Sequence, residues 1–450
     1  MRVLFGAAFL VLALLSVVAW RLQPEAVVSG KTVLTWVSDD NPVRKEQIGL
    51  FNRLHPNLSL RLDPNNTGLE KVIVQSVGGV GPDLFDCYDG YQLSAFVKSG
   101  IAWDVTEALK KAGVHVPTDV WKAVHPNVLL EGRVYGFPTN AAANAIWYNK
   151  ALFQKAGVPF PKGPWKWDEF VSLAKRLTIR DARGRARQFG LVCDWWNWPL
   201  FVRQWGGRIY TEDGARCVVD SPEAIAGVQF LHDLIYVHKV MPSPVEEAAM
   251  ATAGGWGSGT ITQFGAGKAA MALGGRWWLC TLRGYANLSL GAVEAPHYRD
   301  RLFLGYGRAT LINRNSPRRQ EALQFLLYMA RQEYNELINA QADGLSPVIR
   351  WCDTPRYQRN PDYPQEDYNA VWREIMDVAV PNEVSPFVNG QAAQRILNRQ
   401  LDLVKNDQKP VAEALRTAAQ EINAEIQRTI ARDPSLRARY ERLVPSAASP

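Results

Sequence analysis

At 450 residues the chain exceeds what one ordinary hydrophobic core organises, so two lobes or domains are expected. Its 47% hydrophobic and 10% aromatic content fits a fully folded globular protein and excludes a disordered one. The formal charge of +7 does not point to nucleic acid, because Lys and Arg alternate with Asp and Glu along nearly the whole chain; the most basic stretch, Arg428 to Arg442, carries Asp433 and Glu441 and reads as a solvated helical tail.

In chain order, Arg2 precedes an apolar run from Val3 to Trp20, followed by Arg21 and Pro24. Residues 1–24 therefore read as an export signal, with Val17 and Ala19 as the small residues of a cleavage site after Ala19. The run is also long enough to approach a bilayer span, so an uncleaved membrane anchor stays open. No cysteine precedes Cys87, which argues against a lipid-modified cysteine at the mature start.

Beyond a polar linker through Gly30, strand-like and helix-like segments alternate, the pattern of a mainly parallel sheet flanked by helices. Strands are predicted at Val33 to Val37, Leu58 to Leu62 and Leu84 to Asp86. Helices are predicted from Val43 to Leu54, from Glu70 to Val77, and from Leu93 to a stop at Gly100. A second α/β region begins near Ala143 with a strand from Ala145 to Tyr148 and a helix from Trp167 to Leu177. Ser221-Pro222 and Ser316-Pro317 mark two further helix starts. From Glu366 onward the pattern is almost wholly helical, with Val411, Leu415, Ala418, Ile422 and Ile426 at helical spacing. The five cysteines and six histidines are scattered and form no metal motif; buried free thiols are expected, with Cys193 and Cys217 the pair able to bridge a local loop.

Several segments resemble, in order, the family 1 extracellular solute-binding proteins, the group that includes maltose-binding protein. The early ones are TVLTWVS, FNRLHPNLSLRL and GGVGPDLFD. The more specific ones are EGRVYGFP, IWYNKALFQKAGVPFPKGPWKWDEFVSLAKRLT, DSPEAIAGVQFLHDL, FGAGKAAMALGGRWW and SPRRQEALQFLLYMA. One departure is Lys166, where the family commonly has Thr, which removes an N-cap from the following helix. The resemblance implies an α/β fold of the type II periplasmic-binding-protein kind, with two α/β lobes joined by crossover strands and a helical C-terminal region. The lobes are expected from residues 31–142 plus 307–345 and from 143–306 plus 346–432, with a tail over 433–450 and crossovers near Thr139 to Asn144 and Gly305 to Arg308. It also implies a monomeric, extracytoplasmic subunit of an ABC importer, periplasmic or tethered, that captures a carbohydrate between the lobes and meets transmembrane permease subunits, with no cofactor, metal or nucleic acid.

Sugars offer apolar C–H faces and a rim of hydroxyls, so a site for them needs aromatic platforms and fixed polar groups. The 16 tryptophans cluster. Trp195 with Trp196, Trp256 in a glycine loop, and Trp277 with Trp278 after Gly274-Gly275 are the candidate platforms, and adjacent residues in extended chain point opposite ways, so one of each pair can leave the core. Arg276 reads either as a ligand donor or as a structural ion pair. Trp36, Asp39 and Asp40 follow the first strand and Tyr88 and Asp89 the third, at the carboxyl ends where open α/β sheets bind ligands; one of Asp39 and Asp40 is expected to cap the next helix instead. Asn140 and Asn144 flank the first crossover. Two alternatives stand beside a sugar: an anionic solute such as a uronate or glycerol phosphate ester, motivated by Arg276 and Arg308, and a glycan hydrolase using paired carboxylates. Motifs for other chemistry are absent: G-W-G-S-G at Gly255 to Gly259 misses G-x-S-x-G, and there is no H-E-x-x-H or P-loop.

Overall fold

The computed structural model describes residues 11–12, 14–16, 30–250 and 259–444. The expected export segment therefore lies almost wholly outside the described residues, as does Trp256. Among the described residues no helix is long and apolar enough to cross a membrane.

The strands are β1 (Thr32–Val37), β2 (Leu58–Asp63), β3 (Leu84–Cys87), β4 (Leu129–Leu130), β5 (Arg133–Val134), β6 (Gly136–Pro138), β7 (Ala142–Asn149), β8 (Ile179–Arg180), β9 (Ala186–Cys193), β10 (Ala269–Gly275), β11 (Leu290–Glu294), β12 (Phe303–Tyr306), β13 (Ala309–Ile312) and β14 (Ala379–Val380). One five-stranded sheet has the order β2-β1-β3-β13-β6. The other runs β14-β12-β7-β10-β9-β8, with β11 also paired to β7. β1 is parallel to β2 and β3, as the alternating pattern requires, whereas β13 returns antiparallel to β3. Every residue of β7 is buried, which fits a central strand covered on both faces. One cover is the Asn369–Val378 helix, whose Trp372 packs on Trp147 at 4.4 Å and donates its indole N–H to Ala143 O.

Among the described residues the chain passes between the sheets at three places. Residues 139–141 lead from β6 to β7, and Gly307-Arg308 lead back from β12 to β13. Thr139 N and Oγ1 both donate to Arg308 O, at 2.7 and 2.8 Å, so these two passages are stapled together. The third runs past Ala342 to Ser346, where Leu345 exchanges two backbone hydrogen bonds with Ala141. A Cβ on Gly307 would lie 2.5 Å from Val124 Cγ1 and 3.0 Å from Asn140 O. Because Val124 is itself fully buried, Gly307→Ala is expected to destabilise the fold by about 1–3 kcal/mol, measurable by urea unfolding; a neutral result would mean the crossing yields freely.

Three helix starts repay comparison with expectation. Ser221 caps the Pro222–Tyr236 helix by accepting from Ala224 N–H. Ser316 does not cap the Arg319–Met329 helix; its hydroxyl donates to Asp83, at 2.6 Å, and accepts from Arg318 N–H, shaping the turn before the helix. Lys166 brings no cap of its own, and its ammonium instead donates to Tyr298 O at 2.8 Å, while Glu169 accepts from the Lys166 N–H. The Val411–Arg432 helix buries the five apolar residues read from its spacing. The short Pro434–Leu443 helix follows it, with Tyr440 edge-on to Phe387. All five cysteines are free thiols, Cys193 and Cys217 among the buried ones.

Candidate functional site

The carboxyl ends of β1 and β3 in the first sheet and of β9, β10 and β12 in the second converge on one cleft, the position where open α/β sheets expose loop residues rather than core. A chamber of about 380 Å³ is lined there by Asp39, Tyr88 and Asn140 on one side and by Trp196, Trp277 and Tyr306 on the other.

The aromatic side is built by short 3₁₀ turns that follow β9 and β10. Trp277 folds back over Gly275 and Trp278 over Gly274; a Cβ on Gly275 would lie 1.7 Å from Trp277 Cζ3 and one on Gly274 2.4 Å from Trp278 Cε2, so the glycine pair is what lets both rings turn in. Trp277 faces the chamber and Trp278 is 2% exposed in the core, so the two adjacent indoles divide between the two environments. Trp196 is 46% exposed, with its ring 6.4 Å from Trp277 and edge-on to Tyr306 at 5.1 Å. Trp195 turns the other way and packs against the core.

The polar side rests on a buried charge network. Arg44 binds Asp39, at 2.8 Å, and Asp343; Arg308 reaches Asp39 at 3.2 Å, Asp86 at 3.3 Å and Asp343 at 3.6 Å. Two guanidinium groups thus meet three carboxylates, and the floor carries no surplus positive charge. Burial raises the Asp39 carboxyl above its ordinary range, against the pull of Arg44. Its contacts with Arg44, Arg308 and Asn41 fall on Oδ1, while the side chain keeps 31% exposure toward the chamber. Asn140 ties the crossovers together, donating to Asp343 O and accepting from Arg308 N–H.

Beneath this floor, burial pushes Asp86 up to about 7, opposed by hydrogen bonds from Ser38, Thr310 and Trp36. A raised carboxyl pKa means that the fold holds a proton where the unfolded chain has released it. Stability contributed by this group is therefore lost as pH rises from near 4 through about 7, by at most about 1.4 kcal/mol per pH unit. Urea unfolding at pH 5, 6, 7 and 8 should show this slope in the native chain and a flatter one in Asp86→Asn; equal slopes would show that Arg308, 3.3 Å away, keeps Asp86 ionised throughout.

Several expected contact residues are placed elsewhere. Trp36 is fully buried: its indole donates to Asp86 and its ring lies under the Arg308 guanidinium at 5.5 Å, so it supports the floor without reaching the chamber. Asp40 is exposed outside the chamber, and neither it nor Asp39 caps the Arg44–Leu54 helix, whose start has no side-chain cap. Arg276 is fully buried and bound to Asn369 Oδ1, Gly344 O and Asn339 O, a structural bracket with no free donor face toward a ligand. Asn144 is buried against Asn197. Asp89 caps the Gly90–Lys98 helix through Tyr91 N–H, and burial raises its carboxyl; it lines a second chamber beyond Tyr88. Conversely, Tyr306, Arg44 and Asp343 line the first chamber without having been singled out; Tyr306 ends a strand in LFLGYGR, and the strand-end rule that found Tyr88 also applies to it.

The comparisons agree with this architecture. The family model for bacterial extracellular solute-binding proteins matches residues 37–336, and the chain belongs to that family, whose members work outside the cytoplasm. The arabinooligosaccharide-binding protein of Halalkalibacterium halodurans is 25% identical over 315 residues, 66% of this chain and 67% of that protein. Among solved structures, an ABC substrate-binding protein from Listeria monocytogenes in complex with cycloalternan superposes with a TM-score of 0.75 at 22% identity, covering 88% of this chain and 98% of that one. UgpB from Mycobacterium tuberculosis in complex with glycerophosphocholine superposes with a TM-score of 0.73 at 19% identity, covering 89% and 100%. The fold is the two-lobed type II form of these binding proteins.

Proposed function

We propose that this chain captures a neutral carbohydrate in the inter-lobe cleft and presents it to the transmembrane permease subunits of an ABC importer. The observation that carries the reading is the wall of Trp196, Trp277 and Tyr306 set across from Asp39 and Asn140, apolar platforms facing hydroxyl-binding groups. Contacts to both sheets' loops let a ligand favour one relative position of the lobes, since binding to one lobe alone shifts nothing. The H. halodurans relative, named for an arabinooligosaccharide, supports the sugar class.

The anionic alternative loses support because Arg276 is spent on carbonyls and an amide, and Arg308 on carboxylates. Calorimetry against neutral saccharides, uronates and glycerophosphodiesters tests the choice. Heat with a neutral saccharide, little changed by salt, is expected; binding confined to the anions and lost steeply with salt would replace the reading. Chromatography of the same mixtures after hours should return the sugar unaltered, and product formation would favour the hydrolase. In the host the N-terminal segment serves either as a removed signal or as a tether to the inner membrane, and intact mass of the exported chain distinguishes these.

A further inference from the structure

Tyr88 and Trp196 stand at the junction of two chambers. The second, about 330 Å³, runs from that pair toward Gln92, Tyr210, Asn382 and Gln394. Both junction rings are unusually open for aromatics, 44% and 46% exposed, and they come from opposite sides, Tyr88 after β3 and Trp196 in the turn after β9. Each chamber is near the lower end of the size of small-molecule sites, about 300–1,000 Å³, and together they lie well within it.

The chemistry of the second chamber is that of an uncharged hydroxylated ligand. Its one prominent acid beside Asp89, Glu383, is already neutralised: Arg203 and Arg208 pair with it, and Ile209 and Tyr210 N–H donate to it at 2.6 and 3.2 Å. The Asp89 carboxylate is taken up by the Tyr91 N–H and the Asn382 side chain, and the other polar groups on the wall are amides, phenols and the Ser385 hydroxyl, set among apolar side chains such as Ile209 and Leu397; Asn382 Oδ1 is a buried acceptor without a hydrogen-bond partner among the described residues. The chamber also lies where the lobes touch, because Tyr91 of the Gly90–Lys98 helix lies against Gly390 at the start of the Gly390–Lys405 helix, leaving no room there for a Cβ.

Resting on the carbohydrate reading, we infer that the ligand is an oligosaccharide whose rings occupy both chambers, with a ring or linkage held between Tyr88 and Trp196. Apolar ring faces meet the aromatic wall of the first chamber, and hydroxyls of the next ring meet the amides of the second. A monosaccharide fills one chamber and leaves the other to water.

Calorimetry with mono- to tetrasaccharides of several linkages tests this on the full chain. Affinity is expected to rise by about tenfold or more from the monosaccharide to the length that fills both chambers, then level off. Gln394 is exposed on the Gly390–Lys405 helix and bonds Asn398 on the same helix, so Gln394→Trp obstructs the second chamber without disturbing the core. It should lower the affinity of the longer saccharides to that of the shortest and leave the shortest unchanged. Equal affinity for all lengths, or equal weakening of all lengths by Gln394→Trp, would overturn the inference while the carbohydrate reading stands. Failure of every saccharide to bind would remove the carbohydrate reading itself.

Discussion

Arg308→Met is expected to destabilise the protein by about 3–5 kcal/mol, the scale for removing one partner of a buried ion pair and leaving the others unpaired. Arg308 is 3% exposed and sits on the short return passage between the sheets. It contacts Asp39, Asp86 and Asp343, and its Nε also donates to Thr139 Oγ1 at 2.8 Å. Methionine keeps much of the stem's packing and removes the charge, so the loss reports electrostatics. Urea unfolding followed by tryptophan fluorescence measures it. Adding Asp343→Asn should recover part of the loss by removing a carboxylate that Arg308 pairs with; strictly additive effects, or a single-variant loss below about 1 kcal/mol, would show that the carboxylates do not depend on Arg308.

Trp277→Ala should weaken ligand binding by about 2–3 kcal/mol, some 30- to 150-fold in Kd, as expected when a central aromatic anchor is truncated. Its neighbour supplies the control. Trp278 is 2% exposed and packs near Phe264 with ring centroids 6.5 Å apart, so Trp278→Ala should cost stability, about 3–5 kcal/mol, in unfolding measurements. The pair thus separates affinity from stability at consecutive positions. If Trp277→Ala retains native affinity for the saccharide that binds the intact chain, the aromatic wall is not the platform proposed for it.

Local pattern made much of the architecture legible. The buried run of β7, the alternation around β1 to β3, the Ser221-Pro222 start and the stripe of the Val411–Arg432 helix all depend on neighbours a few residues away, which is what periodicity and capping report. The strand-end rule also led to Asp39 and Tyr88, because side chains there leave the sheet whatever the rest of the chain does. Where a choice depended on what lies opposite, sequence order held no signal: Trp36 and Arg276 have the composition of binding groups, yet Asp86 faces one and the carbonyls of Asn339 and Gly344 face the other.

From the amino-acid order alone came an α/β chain of the solute-binding family with indole-rich turns at the ends of strands, since those features are encoded within short windows. Tertiary structure decided which indole of each pair faces the cleft, and it brought Arg44 to Asp343 and Tyr88 to within one chamber wall of Gln394. Those partners are separated by about 300 residues of chain, and only the crossing of the two sheets, with its return passage at Gly307-Arg308, sets the distance between them.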